Sequence, residues 1–142
     1  MKRVVVDTNI LISAIFWRGI PGAVIDVFTQ NRAFMVLSLP IIAELERKLS
    51  APKFALRITA IGRAPSEIAN DFRELAEIVT PAEIPESAVR DAKDRIILAA
   101  AVGGQANYIV SGDKDLTDMG MYAGISILTP LALLAHINAA TE

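Results

Sequence analysis

The sequence predicts an α/β fold, a parallel sheet flanked by helices in an α/β/α sandwich, and three observations lead there. Short β-branched runs alternate with segments of helical spacing from one end to the other. Those runs, "RVVV" and "YIV" among them, are continuously apolar rather than alternating, as strands covered on both faces are. The chain has 142 residues, 53% of them hydrophobic, enough to bury one sizeable core. No repeat, low-complexity tract or linker divides it, so one domain over residues 1–142 is expected.

Residues 3–7, "RVVVD", read as the first strand. Residues 9–17 have helical spacing, with Ile10, Ala14 and Trp17 on one side and Leu11 and Ile15 adjoining. "RGIPG" punctuates the chain before a second helix over 23–30, and "AFMVLS" (33–38) is a second strand. Pro40 opens the helix "IIAELERKLSA". Pro52 and Pro65 split the next region into helices over about 53–62 and 66–78, the second with Ile68, Phe72, Leu75 and Ala76 along one face. A short strand is expected at 78–80, and "TPAEIPES" is a loop. "RDAKDRIILAAAVGG" is a helix stopped by a glycine pair. "NYIVSGD" and "GISILTP" are further strands, and a final helix follows Pro130.

Composition excludes several chemistries. Cysteine is absent, which removes disulfides, thiolate metal sites and a cysteine nucleophile and suits a reducing cytoplasm. With His136 as the one histidine, a zinc site or a Ser-His-Asp triad lacks material, and that histidine reads as structural. The uncharged stretch from Met119 to Thr141 is too broken by glycine, proline and polar residues to cross a membrane. Net charge is −2, without a global signal for nucleic acid. Locally, however, Arg47, Lys48, Lys53, Arg57 and Arg63 follow one another with no acid between them.

The acids carry the functional argument. Ligands of open parallel sheets bind beyond the carboxyl ends of the strands. Asp7 ends the first strand, Asp113 lies just past a later one, Glu44 lies in the early turns of the helix after the second strand, and Asp94 at the start of its own helix. These four can therefore converge on one rim, with Asp91 and Asp115 nearby. Two carboxylates ~5 Å apart repel by roughly 3 kcal/mol at an effective dielectric of ~20. Either some acids take up protons or a cation sits among them, and an all-oxygen site selects Mg²⁺ or Mn²⁺. Each acid also has a plainer role: Asp7 and Asp113 as caps, Asp91 and Asp94 as first-turn acids, Glu44 paired with Lys48. Only the functional reading requires their joint placement.

"VVVDTNILISA", "LPIIAELERKL", "RDAKDRIILAAAV" and "NYIVSGDKDL", in this order, resemble the PIN domain, and more narrowly its VapC-type toxins of toxin–antitoxin pairs. The likeness runs from residue 3 to about residue 130. It implies a PIN-like, Rossmann-like sandwich and an Mg²⁺- or Mn²⁺-dependent ribonuclease, acting on RNA and held in check by a small antitoxin. The matched acids are Asp7, Glu44, Asp94 and Asp113, with Asn9 and Ser111 at supporting polar positions and Asp115 at a variably acidic one. Where the family often has proline after the acid at Asp91, this chain has Ala92.

Metal-assisted attack by water would leave a 5′-phosphate and a 3′-hydroxyl, with one ion or two left open. Thr8 or Ser111 can hydrogen-bond the water or a ligand carboxylate. Arg47, Lys48, Lys53 and Arg57 can contact RNA phosphates, form a solvated face or dock an antitoxin. Trp17 reads as core or dimer-interface packing ahead of base stacking. The apolar excess together with the resemblance implies a homodimer. Three other readings compete. An aspartyl-nucleophile phosphatase needs a second acid where Asn9 stands, and a receiver-like domain needs adjacent acids near the first strand. A catalytically silent PIN-like module that only binds RNA or protein would not need all four acids.

Overall fold

The computed structural model describes residues 1–141. Strand β1 (Arg3–Val6) leads through Asp7 into α1 (Thr8–Trp17), α2 (Gly19–Thr29) and β2 (Phe34–Leu37). Then come α3 (Leu39–Leu49), a 3₁₀ turn (Pro52–Phe54), α4 (Ala55–Ile61), α5 (Pro65–Leu75) and β3 (Glu77–Ile78). A second 3₁₀ turn (Glu86–Ala88) precedes α6 (Ala92–Gly103), β4 (Tyr108–Val110) and α7 (Lys114–Thr117). The chain ends in β5 (Met121–Tyr122), β6 (Ile125–Leu128) and α8 (Pro130–Thr141).

The six strands lie in the order β3-β2-β1-β4-β6-β5, parallel except for β5, which pairs antiparallel with β6. The first three strands build outward in one direction; the chain then returns to lay β4 on the other side of β1. The sheet therefore changes direction between β1 and β4, and a crevice opens at the carboxyl end of such a switch point. Val4, Val5, Val6, Val36, Leu37, Ile109 and Val110 are fully enclosed, which accounts for their unbroken apolar runs. Helix α6 packs on β1, β2 and β4, while α8 packs on β4, β6 and α2. Both edge strands are two residues long, which limits edge-to-edge pairing.

Four local readings change. "RGIPG" is the bend and first turn of α2 rather than a separate loop: Arg18 at φ 53° turns the chain, and α1 and α2 meet at 105°. Pro21 is tolerated there because a first-turn N–H has no helical partner. The strand after α5 sits at 77–78, since α5 stops at Leu75, and Leu75 is itself exposed. Strand β5 is short and lies on an edge, so its pattern carries no periodicity. Trp17 is 56% exposed and so is not a core residue of this chain, because α1 ends there and the chain turns away. Among the described residues no single helix is long and apolar enough to cross a membrane.

The glycine pair does more than stop α6. A Cβ on Gly103 would lie 2.0 Å from the Thr80 carbonyl oxygen and 2.8 Å from the Ala82 nitrogen. The loop backbone is held against the helix there by the Ala82 N–H, which donates to the Ala99 carbonyl at 2.9 Å. Gly103→Ala is therefore expected to destabilise the protein by about 1–3 kcal/mol, the usual range for overpacking. An unchanged urea midpoint would refute this close approach.

Candidate metal centre

Asp7 emerges from β1 and caps α1, with its backbone N–H donating to Val110 at 3.1 Å across the switch point. Its carboxylate is buried and receives three donors: Ser111 Oγ at 2.7 Å, and the Thr8 hydroxyl and Asn9 N–H at 3.4 Å each. The Ser111 hydroxyl also accepts the N–H of Asp113 at 3.0 Å. One buried hydroxyl thus ties the end of β1 to the loop after β4. Asp113 in turn caps α7, accepting the Asp115 N–H at 2.9 Å.

Helix α6 delivers the next acids. Asp91 is its cap, accepting the Lys93 N–H at 2.9 Å, rather than an acid within the first turn. Asp94, one turn in, is only 4% exposed, and its Oδ2 is buried with no hydrogen-bond partner. Burial raises its pKa from 3.8 to about 7, helped by Asp113 beside it and by Asp91 and Asp7 farther off.

Helix α3 supplies the fourth side. Ser38 caps it, and Ile41, Leu45 and Leu49 bury one stripe at four-residue spacing. That leaves Glu44 and Lys48 on the adjoining stripe, both facing the acids. Glu44 accepts from Arg47 at 2.6 Å and lies 3.8 Å from Lys48. Lys48 Nζ donates to Thr8 Oγ1 at 2.8 Å and to Asn9 Oδ1 at 3.1 Å. A lysine expected on the basic face is therefore part of the acidic site. The i+4 spacing from Glu44 was the available signal, but it could not show contacts 40 residues back along the chain.

A single cavity is lined by Asp7, Thr8, Asn9, Glu44, Lys48, Asp91, Lys93, Asp94 and Asp113, with Ile41, Ile96 and Ile97 as its apolar wall. The four principal acids thus meet, together with Asp91. Within this region Asp94, Asp113 and Asp115 each place one carboxylate oxygen within 4.8 Å of the others. Asp115 belongs more closely to the group than its variable position suggested, whereas Glu44 is engaged by two cations. An all-oxygen donor set with an unpartnered buried oxygen fits a hard divalent cation.

Farther out, Arg57 stacks on Trp17 at 4.5 Å from the ring centroid, Lys53 lies over Phe54, and Arg63 pairs with Asp71. His136 packs edge-on against Tyr108 and approaches the Ala132 carbonyl at 2.8 Å, well apart from the acids in sequence and packing.

The sequence profile of the PIN domain family matches residues 3–115. An uncharacterized protein of Methanocaldococcus jannaschii is 30% identical over 118 residues, which cover 82% of this chain and 74% of that protein. The crystal structure of VapBC2 from Rickettsia felis bound to a DNA fragment from their promoter contains a similar chain. It aligns with a TM-score of 0.61 at 15% identity, over 89% of this chain and 98% of that one. At that identity the likeness establishes the fold.

The raised pKa of Asp94 fixes the sign of a pH effect. In chelator, the folded protein holds a proton that the unfolded chain has lost between about pH 4 and 7. Stability is therefore expected to fall as pH rises through that window and to level off above it. Asp94→Asn should raise the melting temperature of the chelated protein at pH 8, and Mn²⁺ should stabilise the parent more at pH 8 than at pH 5. Melting curves that show no such pH dependence would remove Asp94 from the centre.

Proposed function

The chain belongs to the PIN domain family, and on that premise we propose that it is an Mg²⁺- or Mn²⁺-dependent endoribonuclease. The observation that carries this reading is the buried, unpartnered oxygen of Asp94 among other acids, an arrangement that a cation relieves. Asp94, Asp113 and Asp115 would hold the ion, with Asp7 and Glu44 completing the acidic wall. When bound, the ion supplies Lewis acidity toward a phosphate oxygen and lowers the pKa of a water.

The chain's own residues orient the rest. Ser111 and Thr8 hold the Asp7 carboxylate in one direction through their hydroxyls. Lys48, pinned by Thr8 and Asn9, sets a positive charge in the cavity wall suited to a phosphodiester oxygen. Ile41, Ile96 and Ile97 dry one side of the cavity, which strengthens each charge inside it. Water adds to phosphorus as the P–O3′ bond breaks, and the departing 3′ oxygen gains a proton. A 5′-phosphate and a 3′-hydroxyl result.

The same proposal takes the protein to be the toxin of a toxin–antitoxin pair, inhibited by a small antitoxin and paired as a homodimer in the cytoplasm. Its support is the fold shared with a VapBC2 chain. Light scattering that gives only monomer at micromolar concentration would refute the dimer.

Purified protein is expected to cleave end-labelled RNA with Mn²⁺ and to stop in EDTA, leaving 5′-phosphate ends. Asp7→Asn and Asp94→Asn should abolish cleavage. Ser111→Ala should lower metal affinity or rate by roughly 10–100-fold, as loss of a supporting hydrogen bond does. Cleavage by Asp7→Asn at the parent rate would refute the reading.

A further inference from the structure

A second cavity adjoins the acidic one and shares Asn9, Lys48 and Lys93 with it. Beyond the shared wall stand Arg47, Lys53, Trp17 and Phe54, and no acid lines this second part. Four cations line it, of which Arg47 and Lys48 also engage Glu44, while Lys53 and Lys93 pair with no carboxylate among the described residues and can meet an anion.

Its aromatic residues pack against one another. Phe16 stacks on Phe54 with centroids 5.0 Å apart and meets Trp17 edge-on at 5.6 Å. The Arg57 guanidinium covers part of the indole, at 4.5 Å from its centroid. Even so, Trp17 is 56% exposed while lining the cavity. An exposed tryptophan beside lysines has the make-up of a stacking platform for bases, which pairs aromatic rings with backbone-tracking cations.

We propose that this second cavity seats an unpaired nucleotide next to the phosphodiester bond to be cut, its base on Trp17 and its phosphates against Lys53 and Lys93. The proposal rests on the ribonuclease reading only for the identity of the ligand. A base inside a duplex has both faces covered by its neighbours and cannot use the indole.

The test is binding of a fluorescein-labelled single-stranded RNA 10-mer, free or annealed to its complement, measured by anisotropy in EDTA so that no cutting occurs. The parent should bind the free strand at least ~10-fold more tightly than the duplex. Trp17→Ala should lose roughly 10-fold for the free strand, within the range of one stacking contact, and Trp17→Phe should keep most of the affinity. Lys53→Ala should reduce the salt slope by about one phosphate contact. Mn²⁺ affinity, read by calorimetry, should not change in these variants.

Equal affinity of Trp17→Ala and parent for the free strand, or equal binding of strand and duplex, overturns the proposal. So does a result in which Trp17→Ala leaves RNA binding intact but releases a copurifying protein, which would assign the cavity to that partner. Trp17-dependent strand binding without Mn²⁺-dependent cleavage supports the groove while removing the nuclease. Cleavage that ignores Trp17 does the reverse.

Discussion

The structure is organised around carboxylates crowded at the point where its sheet changes direction. Val4, Val5 and Val6 carry Asp7 to the end of the central strand, and Ile109 and Val110 carry Ser111 to the end of its neighbour. Backbone pairing between these strands sets Ser111 Oγ 2.7 Å from Asp7, and that hydroxyl then orients Asp113. Parallel pairing is the cause here: it brings two strand ends, over a hundred residues apart in the chain, to the same rim.

The acids at this rim differ in how they are satisfied. Asp7 and Asp113 accept hydrogen bonds from the chain, whereas Asp94 retains a buried oxygen without a partner and is pushed toward its protonated form. Geometry keeps the cluster from relaxing. Asp94 is fixed by the first turn of α6, whose Ile97, Leu98, Ala100 and Ala101 are buried against the sheet. The backbone that carries the acid belongs to the helix that covers the core. The site's electrostatic tension is therefore maintained by hydrophobic packing, and the same packing keeps water from screening it.

Cations surround the acids unevenly. Lys48 reaches Thr8 and Asn9 and sits within 4 Å of Glu44, so α3 contributes a charge of each sign to one cavity. Arg47 and Lys53 continue along the adjoining depression toward Trp17. A phosphate backbone following this path would pass from a basic, aromatic-lined channel to an acidic centre. On the proposed ribonuclease reading that order would let the cations hold a polyanion that the carboxylates alone would repel.

Much of this was legible along the chain. Strand runs of enclosed valine and isoleucine, helix caps at Asp7 and Asp113, and the position of acids just past strand ends all follow from local rules. These rules act between neighbouring residues, so sequence alone determined the α/β alternation and which acids stand at strand ends and helix starts. The exposure of Trp17, the edge strand β5, the entry of Lys48 into the acidic cavity and the grouping of Asp115 with Asp94 were decided by the tertiary structure. Each depends on a bend angle, a sheet edge or a distance between segments far apart in the chain, and no local pattern encodes those.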